Sequence, residues 1–219
     1  MMNGRVLLIA TANPGKLREM RALFAFPGLE LVSLADLRIL QEVDEGSDYA
    51  ENARRKATTF AVQSGLWTVA DDSGLEVDAL DGAPGPHSAR LAGPQASDAD
   101  RRRLLLEMLH PFPRPWTARF RCTMALADPG GSLDIAAGIC EGEIVPAERG
   151  SGGFGYDPLF LVAGRKQTMA ELSEAEKNLI SHRARAVQAL LPNLQQRLGL
   201  EPPSGGPSGR PRAPHVPPR

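Results

Sequence analysis

The chain has 219 residues, with 25 Lys and Arg against 26 Asp and Glu and a net charge of -1. That length accommodates one large domain or two lobes around a real core, and near-neutrality excludes a general nucleic-acid binder, which needs a broad basic field. Two cysteines, Cys122 and Cys140, are too few for a disulfide scaffold or a cysteine zinc site. The N-terminal apolar run matches neither a signal peptide nor a membrane span, so a reduced, cytoplasmic protein without a membrane or nucleic-acid partner is the expectation.

Residues 5–11 (RVLLIAT) read as a buried strand, and residues 14–26 (PGKLREMRALFAF) as a helix with Leu17, Met20, Leu23 and Phe24 at helical spacing. Asn13 suits the cap and Pro14 the first helical position. The N–H groups around Gly15 and Lys16 then face outward at a positive helix end, where an anion belongs. The P-loop pattern fails, because it requires Gly at Ala10 and Ser or Thr at Leu17. An ordinary strand-to-helix turn stays open beside the phosphate cradle. A second short strand covers 29–34, and residues 41–47 (QEVDEGS) form an acidic loop with Glu42, Asp44 and Glu45. Residues 48–64 read as a helix, opened by Asp48 and Glu51 at capping spacing, stopped by Gly65, and carrying Lys56 midway.

Residues 66–70 (LWTVA) predict a strand ended by Asp71, Asp72, Ser73 and Gly74. Both carboxylates then sit where a strand leaves the sheet, the usual place for substrates in α/β proteins. Adjacent side chains on extended backbone point to opposite sides, which gives Asp71 and Asp72 different jobs. DDSG by itself fits a solvated turn as well.

Ser97 caps a helix through Leu109 whose Arg run reads as a solvated face, and 110–115 (HPFPRP) is a rigid connector. Residues 116–127 and 133–145 flank DPGGS and predict an antiparallel hairpin, which makes the sheet mixed. Residues 150–160 (GSGGFGYDPLF) suit a loop that approaches a ligand closely, with Phe154 available to stack on a base. The same composition fits a plain glycine-rich turn. One unbroken helix over 173–191 would fan Lys177, His182 and Arg183 apart by more than about 100°. A break near 179–181 is therefore expected, with Ser181 capping a second helix that presents His182 and Arg183. Residues 201–219, rich in Pro, Gly and Ser with three arginines, read as a disordered tail behind a domain spanning 1–200.

TANPGK at 11–16, ENARRKA at 51–57, ADDSGL at 70–75, GAPGPHSAR at 82–90, GGFGYDPLF at 152–160, and AELS, EKN and SHRARA between 170 and 186 occur in this order. Together they closely resemble the inosine/xanthosine triphosphate pyrophosphatase family, from residue 6 to about residue 191. The resemblance implies an α/β fold, an elongated mixed sheet flanked by helices in two lobes with a central cleft. It implies hydrolysis of ITP, dITP and XTP to the monophosphate and pyrophosphate, with Mg²⁺, by a homodimer. Carried onto this chain, it assigns Thr11, Ala12, Asn13, Pro14, Gly15 and Lys16 to a phosphate-binding turn. Asp72 becomes catalytic base and metal carboxylate, and Ser73 its substrate-contacting neighbour. Asp44 matches the second metal position, with Glu45 as the fallback. Lys56 matches a substrate contact, Phe154, Gly155, Tyr156 and Asp157 the nucleoside loop, and Lys177, His182 and Arg183 the remaining substrate ligands. Ala12, His87 and Met169 depart from the family pattern, and none removes a charge the reaction needs.

The residue types suit that chemistry. Water cannot attack a triphosphate until cations screen its charge, which is work for Mg²⁺ with Lys16, Lys56 and Lys177. Asp72 can then position or deprotonate the water. Donors in 181–183 would accept a 6-oxo purine and clash with adenine's 6-amino group. Two other readings are a related pyrophosphatase for modified pyrimidine or methylated nucleotides, and a non-catalytic nucleotide sensor. The acidic pair favours an enzyme.

Overall fold

The structure, a computed structural model, describes residues 5–39 and 43–200; the expected tail at 201–219 and the loop residues Gln41 and Glu42 lie outside the described residues. Leu7, Leu8 and Ile9 are wholly buried, as a continuous apolar run on a strand covered on both faces must be. They belong to β1 (Arg5–Ile9), followed by α1 (Pro14–Leu23), β2 (Leu29–Ser33), α2 (Tyr49–Ser64), β3 (Trp67–Val77) and β4 (Pro84–Gly85). Then come α3 (Asp98–Leu109), the hairpin strands β5 (Trp116–Ala127) and β6 (Leu133–Ile144), β7 (Phe160–Val162), α4 (Glu174–Ile180) and α5 (His182–Leu198). The sheet order is β2-β1-β3-β5-β6-β7, with β4 on β3. Pairs β1–β2 and β1–β3 are parallel and the others antiparallel, so the sheet is mixed as expected.

Period-two alternation sends the strand side chains into separate cores. Leu7, Ile9, Val69 and Met124 meet Met20 of α1, Phe24 at its C-terminal cap, and Leu190 and Leu194 of α5. Leu8, Ala70 and Ala125 meet Ala53, Ala57, Phe60 and Ala61 of α2 on the opposite face. Farther along the same long strands, Leu75, Val77 and Phe120 build another core with Leu105 and Leu109 of α3 and with Tyr156 and Phe160. Two lobes result, joined by β3 and β5.

The strand expected to stop at Ala70 continues to Val77. Strand preference depends on context, and β5 supplies a partner throughout, pairing Ala70 to Gly74 with Ala125 to Arg121. The strand that does end here is β1, which accompanies β3 only to Val69, while β4 rejoins it at Leu75. Between them, residues 70–74 of β3 have an edge without a strand neighbour among the described residues.

The helix signals translate directly. Asn13 Oδ1 accepts from Lys16 N at 3.0 Å and Asp48 Oδ1 from Glu51 N at 2.8 Å. Gly65 ends α2 in the left-handed region at φ 70°. Ser97 with Asp100, and Ser173 with Glu176, form capping boxes. The expected break falls at Ser181, whose Oγ accepts from Ala184 N at 3.1 Å. Helix α5 runs beyond residue 191 and through Pro192, its buried Leu190 and Leu194 holding the same core face on either side. Among the described residues no helix is long and apolar enough to cross a membrane.

Candidate active site

The unpaired edge of β3 is buried, and it places two carboxylates on opposite faces. Asp71 Oδ2 lies 3.1 Å from Lys16 Nζ, at the start of α1, and 3.2 Å from Arg183 Nη2, at the start of α5. Arg183 also donates to Ser73 Oγ at 3.0 Å. Burial would raise the Asp71 carboxyl, but Lys16, Arg183 and Lys56 outweigh it and hold the group far below the usual carboxylate range. Asp71 is therefore a fixed anion that orients two cations.

Asp72 faces α2. Asn52 Nδ2 donates to its Oδ2 at 2.8 Å, and Lys56 Nζ lies 3.6 Å from its Oδ1. Here burial prevails over the opposing pull of Lys56 and Asn52, and the carboxyl is raised above its ordinary value. Adjacent carboxylates with proton affinities pushed apart are suited to different tasks, one as a permanent charge and one as a proton acceptor.

Lys56 Nζ donates to Glu45 Oε1 at 2.8 Å and to the Asp71 carbonyl at 2.6 Å. It thus sits between the Glu45 and Asp72 carboxylates. Asp44, favoured from the sequence, is exposed, and among the described residues only its carbonyl is engaged, accepting from Arg55 Nη1 at 3.2 Å. The fallback, Glu45, is the acid turned toward Asp72. Asn52 sets that loop register by bonding Gly46 N at 2.7 Å and Gly46 O at 3.0 Å. The sequence reading gave Asn52 no role, although it lies one helical turn before Lys56 on the same face.

Among the described residues no group of three His, Cys, Asp or Glu side chains gathers at one point. Glu45 and Asp72 do offer two carboxylates drawn around one cationic group. Hard oxygen donors of that number suit Mg²⁺, which commonly takes one or two carboxylates and completes its shell with phosphate oxygens and water.

On the Asp71 face, Asn13, Lys16, Ser73, residues 154–157, Lys177, His182 and Arg183 line a single pocket. Thr11, Ala12 and Pro14 stay outside it and shape the turn, Thr11 Oγ1 accepting from Asn13 N at 3.2 Å. The Phe154 ring lies on Gly15, where an added Cβ would come within 2.6 Å of it. Lys177 Nζ is 5.0 Å and Arg183 Cζ 5.8 Å from the ring centroid. Tyr156 is buried and donates to the Ser88 carbonyl at 2.9 Å. Asp157 accepts from Phe154 N at 2.8 Å and from Lys177 Nζ at 2.5 Å. His182 stacks on Phe120 with centroids 4.8 Å apart, and its buried Nδ1 has no partner among the described residues. Burial, then Arg183 and Lys177, push its imidazole well below the ordinary range, so it is neutral.

Two further features escaped the sequence reading. Glu19, one turn into α1, bonds Lys177 Nζ at 2.6 Å and also pairs with Arg183. Its burial is outweighed by Arg183 and Lys177, which keep it ionised. The Arg run of α3 is not simply a solvated face. Arg103 is exposed, but Arg101 lines the pocket with Asp98, and Arg102 Nη1 donates to the Gly155 carbonyl at 2.9 Å. Asp98, Arg101, Arg102 and Leu105 share one helical face, and Leu105 turns that face inward.

The model of the Ham1 family matches residues 7–193. A dITP/XTP pyrophosphatase of Desulforamulus reducens is 47% identical over 184 residues, 83% of this chain and 92% of that protein. One of Geobacillus kaustophilus is 49% identical over 186 residues, covering 84% and 91%. A solved HAM1 protein from Coxiella burnetii superposes with a TM-score of 0.79 at 38% identity, covering 88% of this chain and 99% of that one. A nucleoside-triphosphatase, dITP/XTP pyrophosphatase, from Mycobacterium abscessus gives 0.69 at 43% identity, over 85% and 99%.

Proposed function

Because the chain belongs to the Ham1 family, we infer that it hydrolyses deaminated purine nucleoside triphosphates, dITP, XTP and ITP, to the monophosphate and pyrophosphate. The observation that carries this reading is the arrangement around the edge of β3. A proton-accepting carboxylate, Asp72, stands with Glu45 and Lys56 on one side, a pocket with Phe154 and neutral His182 opens on the other, and Lys16 lies between. A phosphate chain crossing that edge would meet the N–H groups at the start of α1 and the ammonium of Lys16. The base would enter the pocket.

In this reading Asp72 takes the proton of the attacking water, a task suited to its raised proton affinity. Asp71 keeps Lys16 and Arg183 in place without itself changing charge. Donors at the start of α5 suit a purine with oxygen at position 6, whereas a 6-amino group would leave buried donors facing each other. Mg²⁺ is the proposed cofactor, with Glu45 and Asp72 as its protein ligands; when bound it would screen the phosphate charge and polarise the bond to be broken. The proposal extends to a homodimer and to the cytoplasm. Two free, buried cysteines agree with a reducing compartment.

The test is pyrophosphate release from dITP, XTP, ITP, GTP and ATP with Mg²⁺. The expected result is a kcat/KM for the first three at least about a hundredfold above that for ATP. Equal rates on ATP would overturn the assignment.

A further inference from the structure

Residues 154–157 are gripped by an element outside every motif used above. The Gly155 N–H donates to Asp98 Oδ2 at 2.7 Å, and the Gly155 carbonyl accepts from Arg102 Nη1 at 2.9 Å, across 57 and 53 residues of chain. Arg102 is itself fixed by Glu148, its Nε 2.8 Å from Oε1. The other Asp98 oxygen pairs with Arg101, whose Nη2 donates to the Ala96 carbonyl at 2.6 Å. Charge-assisted hydrogen bonds of this kind are roughly twice as strong as neutral ones. The next residues are tied to the other elements of the pocket, Phe154 lying on Gly15 and Asp157 bonded to Lys177. Helix α3 does not depend on the grip for its own place. Leu105 and Leu109 are wholly buried and Ser97 with Asp100 caps its start.

We propose that Asp98 and Arg102 are positioning residues for the purine, setting the height of Phe154 over the pocket by holding the N–H and the carbonyl of Gly155. This rests on the assignment of that pocket to a purine nucleotide. Stacking on the base is remote from the reacting phosphorus and is equally strong in the ground and transition states. Its loss therefore raises KM and spares kcat.

The experiment compares Asp98→Ala, Asp98→Asn, Arg102→Ala and Arg102→Lys with the parent and with Arg103→Ala, an exposed neighbour on the same helix. For dITP, KM is expected to rise about tenfold in each Ala variant with kcat within about twofold. The Asn and Lys variants, which keep an acceptor and a donor, should recover most of the loss, and Arg103→Ala should match the parent. Unchanged KM in both Ala variants, or a fall confined to kcat, overturns the proposal. Amide exchange at Gly155 in the protein without nucleotide gives a readout independent of turnover. It should quicken at least about tenfold in Asp98→Ala and less in Asp98→Asn. Unchanged exchange there sinks the proposal, whereas a parent enzyme inactive on dITP and XTP sinks only the substrate reading. If the Ala variants fail to fold, Asp98→Asn decides, because it keeps an acceptor but loses the charge: a residual rise of about two- to threefold in both the KM for dITP and the exchange rate at Gly155 is expected, and parent values for both overturn the proposal.

Discussion

Asp71 and Asp72 are neighbours in sequence with opposite fates, and the difference comes from what faces them. Asp71 meets Lys16 and Arg183, which outweigh its burial; Asp72 meets a neutral amide and one shared ammonium, and burial wins. Asp72→Asn keeps shape and the bond to Asn52 while removing the proton acceptor. It is expected to bind dITP with little change and to lower kcat by about 10²- to 10⁴-fold, the usual worth of a general base, as read by steady-state pyrophosphate release and by equilibrium binding. Near-normal turnover would remove Asp72 from that role. The acidic loop offers a second comparison. Glu45 points at Lys56 and Asp72 whereas the Asp44 side chain is exposed. A Mg²⁺ titration of activity should therefore shift to higher concentration, by about tenfold or more, in Glu45→Gln and stay put in Asp44→Asn. The reverse order would restore the assignment favoured by sequence spacing.

Elements explain which parts of the site were legible in the chain. Alternation along extended backbone was enough to separate the roles of Asp71 and Asp72, and the impossibility of converging Lys177, His182 and Arg183 on one helix was enough to place a break at Ser181. The length of β3 was not readable, because its polar stretch is held by β5, whose pairing residues are about fifty positions away. Glu19, Asn52 and Asp98 were missed for the same reason: each looks like an ordinary helical polar residue until its partner arrives from another element. The start of α5 carries a further consequence. His182 is buried and neutral, held so by burial, Arg183 and Lys177, and the positive end of the helix acts in the same direction. Its folded-state proton affinity lies below that of the unfolded chain, so its share of stability is complete above the unfolded pKa of about 6.5 and is lost as pH falls. Between pH 7.5 and 5.5 the parent should lose more unfolding free energy than His182→Gln, by up to about 1.4 kcal/mol, the ceiling that an unfolded pKa of about 6.5 sets over that window. Denaturant titrations at the two pH values measure it. Parallel losses in the two proteins would show that His182 is not held neutral.

At the scale of the whole molecule, β3 and β5 run from the core under α1, α2 and α5 to the core under α3, and the site lies where they pass from one to the other. Both ends of the fold therefore have to be built before the pocket exists. Helix α5 belongs to this frame through Leu190 and Leu194, and the described fold closes just after it. Gly199 caps the helix with φ 56°, Leu200 N donates to the Gln195 carbonyl at 2.9 Å, and Leu200 joins the core beside α5. The family match has already ended at residue 193. Residues 201–219 thus follow a helix that is already capped and a core that is already sealed. Removing them should leave kcat/KM for dITP within about twofold and the melting temperature within about 2 °C, the shift expected from less than about 1 kcal/mol in a domain of this size. A longer truncation, of 194–219, supplies the contrast. It takes away two buried leucines, Leu194 and Leu200, and burial losses of about 2 to 5 kcal/mol for a leucine truncated in a core predict a fall in melting temperature of many degrees. A large loss of turnover from the shorter deletion alone would mean that residues 201–219 act on the site, and that the catalytic unit extends past the family match.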